Sequence, residues 1–156
     1  MSRGEFIRPS QLSLRERALG FLSRREYSRL ELKRKLAPHA EDEHEVASLL
    51  DDFAARGWLS EARFTEQIVH ARRSKYGAQR IAQELKEKGV SADAVAAILP
   101  ELRESELETA RAVWAKKFGV LPQDARERAR QMRFLMSRGF SSSIIGKVLH
   151  GSGDRD

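Results

Sequence analysis

The sequence predicts an all-α fold, three tandem three-helix repeats forming an elongated, curved array. Three observations lead there. An apolar residue, a basic residue three positions later, a glycine and a second apolar residue recur as Phe53-x-x-Arg56-Gly57-Trp58, Leu85-x-x-Lys88-Gly89-Val90 and Leu135-x-x-Arg138-Gly139-Phe140. A serine follows each of these stops, at Ser60, Ser91 and Ser141. Setting Tyr27 on Tyr76 also sets Leu32 on Ile81 and Leu36 on Leu85, a constant offset of 49 residues.

The recurring pattern is a helix end. Glycine just past a helix adopts the left-handed conformation without a side-chain clash, and N–H groups beyond it then satisfy the last carbonyls. The apolar residue after the glycine folds back onto the one that opens the motif, so Phe53 should meet Trp58, Leu85 should meet Val90 and Leu135 should meet Phe140. The basic residue suits the negative end of the helix dipole, and its charge needs no functional explanation. The serines are placed to cap the helices that follow.

Residues 1–11 contain Gly, Pro and Ser without periodicity and read as a loose N-terminal tail; 151–156 read as a C-terminal one. Repeat 1 occupies 12–59. Its first helix, Leu12 to Arg25, carries Leu14, Ala18, Phe21 and Leu22 at helical spacing, and its second, Arg29 to Leu36, ends before Pro38. The third opens at the acidic Glu41-Asp42-Glu43, where negative charge favours the dipole, and carries Val46, Leu49, Leu50 and Phe53 as a stripe.

Repeat 2 occupies 60–100 and has the same parts. A long helix from Ser60 to Lys75 ends at Tyr76-Gly77, a second runs from Ala78 to Lys88, and a short third carries Val95, Ile98 and Leu99 and stops at Pro100. Repeat 3 occupies 101–150. Its long helix holds Leu107, Ala110, Trp114 and Phe118, its second Ala129, Met132, Leu135 and Met136, and its third Ile144, Ile145, Val148 and Leu149. An aromatic-plus-small junction recurs as Tyr27-Ser28, Tyr76-Gly77 and Phe118-Gly119. A period of roughly 40 to 50 residues is that of stacked helical arrays, in which each unit packs on its neighbours and offers extended surface rather than a deep pocket.

Composition narrows the function. Hydrophobic residues make up 40% and charged residues 33%, enough for a core under much solvated surface. There is no cysteine, hence no disulfide, thiolate nucleophile or thiolate metal site. The N-terminal stretch lacks the apolar run of a signal peptide and no segment approaches a membrane span, so a cytoplasmic protein is expected. Of the net charge of +6, all lies in residues 1–36, with ten Lys/Arg against four Asp/Glu, while the rest of the chain is neutral. A basic end on a neutral body suits an acidic partner such as nucleic acid or a nucleoprotein surface.

No reaction chemistry emerges from the residue pattern. His39, His44, His70 and His150 are scattered, and His39 and His44 beside their carboxylates read as a solvated loop rather than a metal site. Lys88-Gly89 lacks the second glycine and the Lys-Ser/Thr pair of a phosphate loop, and Ser141-Ser142-Ser143 has no base nearby. Trp58, Trp114, Phe64 and Phe118 sit at apolar-face spacing and read as core. A DNA reader of the helix-turn-helix kind would place Arg, Lys, Asn or Gln on its second helix. The available candidates are alanine-rich (92–99), acidic (42–52) or hold Lys147 alone (141–149), so sequence-specific readout is not expected.

The run Trp58-Leu59-Ser60-Glu61-Ala62-Arg63-Phe64, with Arg72, Tyr76-Gly77 and Arg80-Ile81-x-x-Glu84-Leu85-x-x-Lys88-Gly89-Val90, resembles the central signature of the bacterial RecX family of recombination regulators. Tyr27-Ser28-Arg29-x-Glu31-Leu32-x-x-Lys35-Leu36 is similar to its first-repeat signature. The resemblance covers about residues 14–150, with Glu61 standing where the family commonly has aspartate, which keeps the negative charge at the helix start. It implies a non-enzymatic accessory protein of DNA repair, recombination and the SOS response. Such proteins bind the RecA recombinase, lodge in the groove of its filament on DNA, restrain its ATPase and strand exchange and limit filament growth.

The family supplies no catalytic motif to transfer, so the candidate partner-binding residues come from charge alone: Arg24, Arg25, Arg29, Arg34, Arg72, Arg73, Lys75 and Arg80. The basic pair Lys116-Lys117 belongs to the same set of charged helix ends. The expected partner is the RecA filament, with non-specific contact to single- or double-stranded DNA, and no cofactor, metal, small-molecule substrate or membrane. The rival reading is a non-specific nucleic-acid-binding helical repeat protein acting directly on DNA.

Overall fold

Side-chain oxygens start most of the helices among the described residues and glycines end several of them. The structure, a computed structural model, describes residues 12–150; the two expected tails lie outside the described residues. Those residues form an all-α array without a strand: α1 (Leu14–Leu22), α2 (Arg29–Leu36), a single 3₁₀ turn (Ala37–His39), α3 (Glu43–Ala55), α4 (Glu61–Arg72), α5 (Ala78–Glu87), α6 (Ala92–Glu104), α7 (Glu106–Lys117), α8 (Ala125–Ser137) and α9 (Ser142–Leu149).

The predicted stops form as the glycine rule requires. Gly57, Gly89 and Gly139 have φ of 76°, 84° and 87°. Trp58, Val90 and Phe140 donate their N–H groups to the carbonyls of Phe53, Leu85 and Leu135 at 2.9, 3.0 and 3.3 Å. The Phe53 and Trp58 rings meet edge-on, 5.4 Å between centroids. Ser60, Ser91 and Ser141 accept the N–H groups of Arg63, Ala94 and Ile144 at 3.2, 3.2 and 3.3 Å. Ser13 with Glu16, and Ser28 with Glu31, close reciprocal capping boxes on α1 and α2.

Packing divides the described residues into two compact units that part between Phe64 and Thr65. In the first, Ala18, Leu32, Leu36, Val46, Leu50 and Phe53, at positions the helical period selects, form the core with Tyr27 and Leu59 from the connecting segments. In the second, Ala110 of α7 and Leu135 of α8 pack with Phe140 and with Ile145, Val148 and Leu149 of α9. On α5, Ile81 and Leu85 are buried, as are Leu32 and Leu36 at the matching positions of α2.

Several expectations are corrected. Pro100 does not stop the third helix of repeat 2 but lies inside α6, which continues to Glu104. A proline within a helix costs about 3 kcal/mol. The extra turn buries Leu102, which is 4% exposed, and burying a leucine returns roughly 1.5–3 kcal/mol. The first and fourth helices are shorter than the apolar period suggested, α4 giving way after Arg72 to a turn in which Lys75 and Tyr76 both donate to the Arg72 carbonyl at 3.0 Å.

Trp58 is not core: it is 41% exposed, its ring packed on Phe53 and flanked by the guanidinium groups of Arg15 and Arg56. On α8, Met136 is 58% exposed and Gln131 is buried instead. Gln131 accepts from the Trp114 indole at 2.8 Å and donates to the Val120 carbonyl at 3.0 Å and to Glu127 at 3.2 Å, so its amide is satisfied inside. Phe118-Gly119 ends α7, with Gly119 at φ 73°, whereas Ser28 and Gly77 occupy the N-cap positions of α2 and α5.

Candidate functional site

The turn that ends α4 places Lys75 beside the C-terminal halves of α7 and α8. Gly77 donates its N–H to the Arg138 carbonyl at 2.7 Å, which ties the turn to the stop at the end of α8. Between them opens a cleft of about 590 Å³. Lys75, Lys116, Lys117 and Arg138 line it, with Ala112, Val113 and Phe134 as its apolar wall. No described acidic residue lines the cleft.

Aromatic rings rather than carboxylates lie against two of these cations. The Arg138 guanidinium lies 5.0 Å from the Phe134 centroid and 5.4 Å from that of Tyr76, and the Lys117 ammonium lies 5.4 Å from Phe134. Phe134 is braced edge-on by Phe118 at 5.4 Å. Such contacts are worth about 0.5–1 kcal/mol each at exposed sites and leave the positive charge unneutralised. Unpaired cations converging on a cleft concentrate positive potential there and attract an anionic ligand.

The eight residues singled out by charge are placed differently from one another. In the first unit, Arg25 lies 3.6 Å from the Tyr27 centroid and pairs with Glu31 at 3.2 Å, and Arg29 pairs with Asp51. Arg24 and Arg34 are exposed. In the second unit, Arg72 makes a two-pronged pair with Glu84 at 2.9 and 3.3 Å, and Arg73 reaches Glu101 at 3.3 Å. Burial pushes the Glu84 carboxyl up, but the hydrogen bonds and charges of Arg72 and Lys88 outweigh it and hold the group below its ordinary range.

Only Lys75 of the eight lines the cleft. Arg80 stands at its margin, donating to the Ser137 carbonyl at 2.7 Å with its guanidinium 4.2 Å from the Tyr76 centroid. Lys116 and Lys117 are visible in the sequence as a basic pair, but Phe134 and Arg138 are not selected by charge. A signal for Arg138 does exist one helical turn earlier. The residue four before the basic one is Asp52 in the first stop, Glu84 in the second and Phe134 in the third.

Among the described residues no group of His, Asp and Glu is arranged to hold a metal ion, and no helix is long and apolar enough to cross a membrane.

Residues 60–99 match the family model described as RecX, second three-helix domain, and residues 104–149 match RecX, third three-helix domain. The chain is 56% identical over 139 residues to a regulatory protein RecX of Leptothrix cholodnii, covering 89% of this chain and 88% of the relative. It is 50% identical over 141 residues to that of Ralstonia nicotianae, covering 90% and 89%. A crystal structure of RecX from Lactobacillus salivarius superposes with a TM-score of 0.73 over 88% of this chain and 92% of that one, at 19% identity, a likeness of fold.

Proposed function

The chain belongs to the RecX family of regulatory proteins, and from that premise we propose that it acts in the cytoplasm as a non-enzymatic modulator of the RecA recombinase. It binds the RecA–DNA filament, restrains ATP hydrolysis and strand exchange, and limits filament growth. The observation that carries this reading is identity of half or more to curated regulatory relatives along nearly the whole chain. The cationic cleft of the second unit supports it, since a nucleoprotein filament presents anionic surface.

In this reading the charged residues divide by their surroundings. Arg24, Arg34 and Lys75 offer charge outward, while Arg25, Arg29, Arg72 and Arg73 already have acidic partners and act chiefly by shaping the helix ends on which the others stand.

The test is DNA-dependent ATP hydrolysis by purified RecA, with filament length followed in parallel. The full chain should lower the rate at micromolar or lower concentration and shorten filaments. Unaltered hydrolysis together with unaltered filaments overturns the proposal.

A further inference from the structure

The three glycine stops share one design, and the position four before the base sets the third apart from the other two. In the first, Arg56 folds back on Asp52 at 3.0 Å; in the second, Lys88 folds back on Glu84 at 3.0 Å. These are i, i+4 pairs at a helix C-terminus, where they neutralise a base whose role is to complement the dipole. In the third, the acid is replaced by Phe134, and Arg138 rests on its ring with its charge intact. The same ring carries Lys117, and Lys75 and Lys116 complete the cluster. With an aromatic in place of the acid, this helix end keeps its positive charge beside the cleft.

We propose that this cleft is a binding site for single-stranded nucleic acid, with the phosphates held by Lys75, Lys116, Lys117 and Arg138 and a base or sugar laid against Phe134 and Val113. The inference rests on the filament reading above and deepens it, by naming the site and the form of the polymer.

Two features favour a single nucleic-acid strand over an acidic peptide. The described residues around the cleft are helical or in turns, so there is no sheet edge along which a peptide could hydrogen-bond its main chain. The apolar wall of Ala112, Val113 and Phe134 is also short for the successive anchors of an amphipathic helix. A phosphodiester chain needs neither. It requires positive charge along its backbone and an aromatic or apolar surface for an unstacked base, and both are present. A base inside a duplex is already stacked and has no use for the ring.

The experiment uses the full chain and a fluorescent oligothymidylate, with anisotropy titrations across a series of salt concentrations. For single strands the slope of log affinity against log salt becomes shallower by about 0.7 for each phosphate that the protein ceases to neutralise. Lys116→Gln, Lys117→Gln and Arg138→Gln should each flatten the slope by about that amount, and the quadruple variant with Lys75→Gln by about 2.8. Phe134→Glu, which restores the acid of the other two stops, should weaken binding more than Phe134→Leu. Lys86→Gln, exposed on α5 outside the cleft, should leave the slope unchanged.

Melting curves separate loss of the site from loss of the fold, and the exposed lysine variants keep the proposal testable where Phe134→Glu fails to fold. Unchanged affinity and slope in the lysine and Arg138 variants overturn it. So does competition by polyglutamate that weakens with the cleft variants while nucleic-acid affinity does not, which assigns the site to an acidic polypeptide. Hydrolysis by RecA, measured with the same variants, distinguishes the two proposals. A wild-type chain without effect on RecA but with cleft-dependent strand binding sinks the filament reading alone. A wild-type effect with cleft-independent strand binding sinks this one alone.

Discussion

Gly77 and Gly139 cross in backbone-to-backbone contact: a Cβ added at Gly77 would lie 2.3 Å from the Gly139 carbonyl oxygen. Gly139 is constrained from its other side, since a Cβ there would lie 2.3 Å from that of Arg80. The hydrogen bond from the Gly77 N–H to the Arg138 carbonyl closes the crossing at 2.7 Å. Glycine at position 77 is thus required by the approach of a second turn, and at 139 both by the closeness of Arg80 and by φ of 87°.

Substitution at this crossing should be costly and specific. Gly77→Ala forces backbone to move and should lower stability by about 1–3 kcal/mol. Gly139→Ala adds the strain of a left-handed alanine, roughly 1–2 kcal/mol. Gly20→Ala in α1 and Gly146→Ala in α9 meet nothing within 4 Å. They should instead stabilise by about 0.5–1 kcal/mol, because alanine loses less backbone entropy in a helix. Thermal unfolding of the four variants checks the contrast, and equal effects would count against it.

Because Gly77 has no side chain, α5 has no local cap, and the acceptor comes from elsewhere. The Ala78 N–H donates to the buried carboxylate of Glu106, 2.7 Å away at the start of α7. Glu106→Ala leaves a buried donor unpaired and should cost about 1–3 kcal/mol. Glu106→Gln keeps an acceptor and should recover most of it. A loss equal in both variants would show that charge, not hydrogen bonding, matters here.

Arg72 and Lys75 are three residues apart in sequence and should respond differently to charge reversal. Arg72→Glu sets a carboxylate against Glu84 and should cost on the order of 1 kcal/mol of stability. Lys75→Glu, exposed at the cleft, should change stability by less than about 0.5 kcal/mol yet weaken association with RecA on DNA. Paired melting curves and pull-downs decide the matter; loss of fold in both would mark both charges as structural.

Acid should loosen the fold in a defined window. Arg15 and Arg56 hold Asp52 below its ordinary 3.8, and Arg130 with Gln131 holds Glu127 below 4.5. For Glu84, burial pushes up and is overcome by Arg72 and Lys88, again below 4.5. A carboxylate depressed in the folded state binds fewer protons there than when unfolded. Its contribution is therefore complete above its ordinary value and is lost as pH falls through the folded one. The melting temperature should decline on acidification below about pH 4.5, and Glu84→Gln should shrink that decline. A melting temperature that rises through the same interval would contradict the assignment.

The serine caps and glycine stops were legible in the sequence because each depends on residues within about one turn, whereas the Glu106 acceptor at the start of α5 was not. Ser60, Ser91 and Ser141 cap, and Gly57, Gly89 and Gly139 terminate, through partners only a few residues away. The family was legible because its signature is carried by one continuous stretch of the chain, from Trp58 to Val90. Pro100 misled because burial of Leu102 offsets much of the local breaking cost, and Trp58 because apolar spacing does not reveal how much of a ring its neighbours cover.

Which cations converge was decided by tertiary structure alone. Lys75, Lys116 and Arg138 come from three separate segments, and nothing in their spacing says that the turn after α4 is tied to the end of α8. Charge is a property of a residue and can be read from the chain. Whether a charge is neutralised depends on which groups lie within a few ångströms of it. For Arg138 part of that is local, since Phe134 stands one turn earlier, but the meeting of Lys75, Lys116 and Arg138 in one cleft depends on the folding of distant segments onto one another.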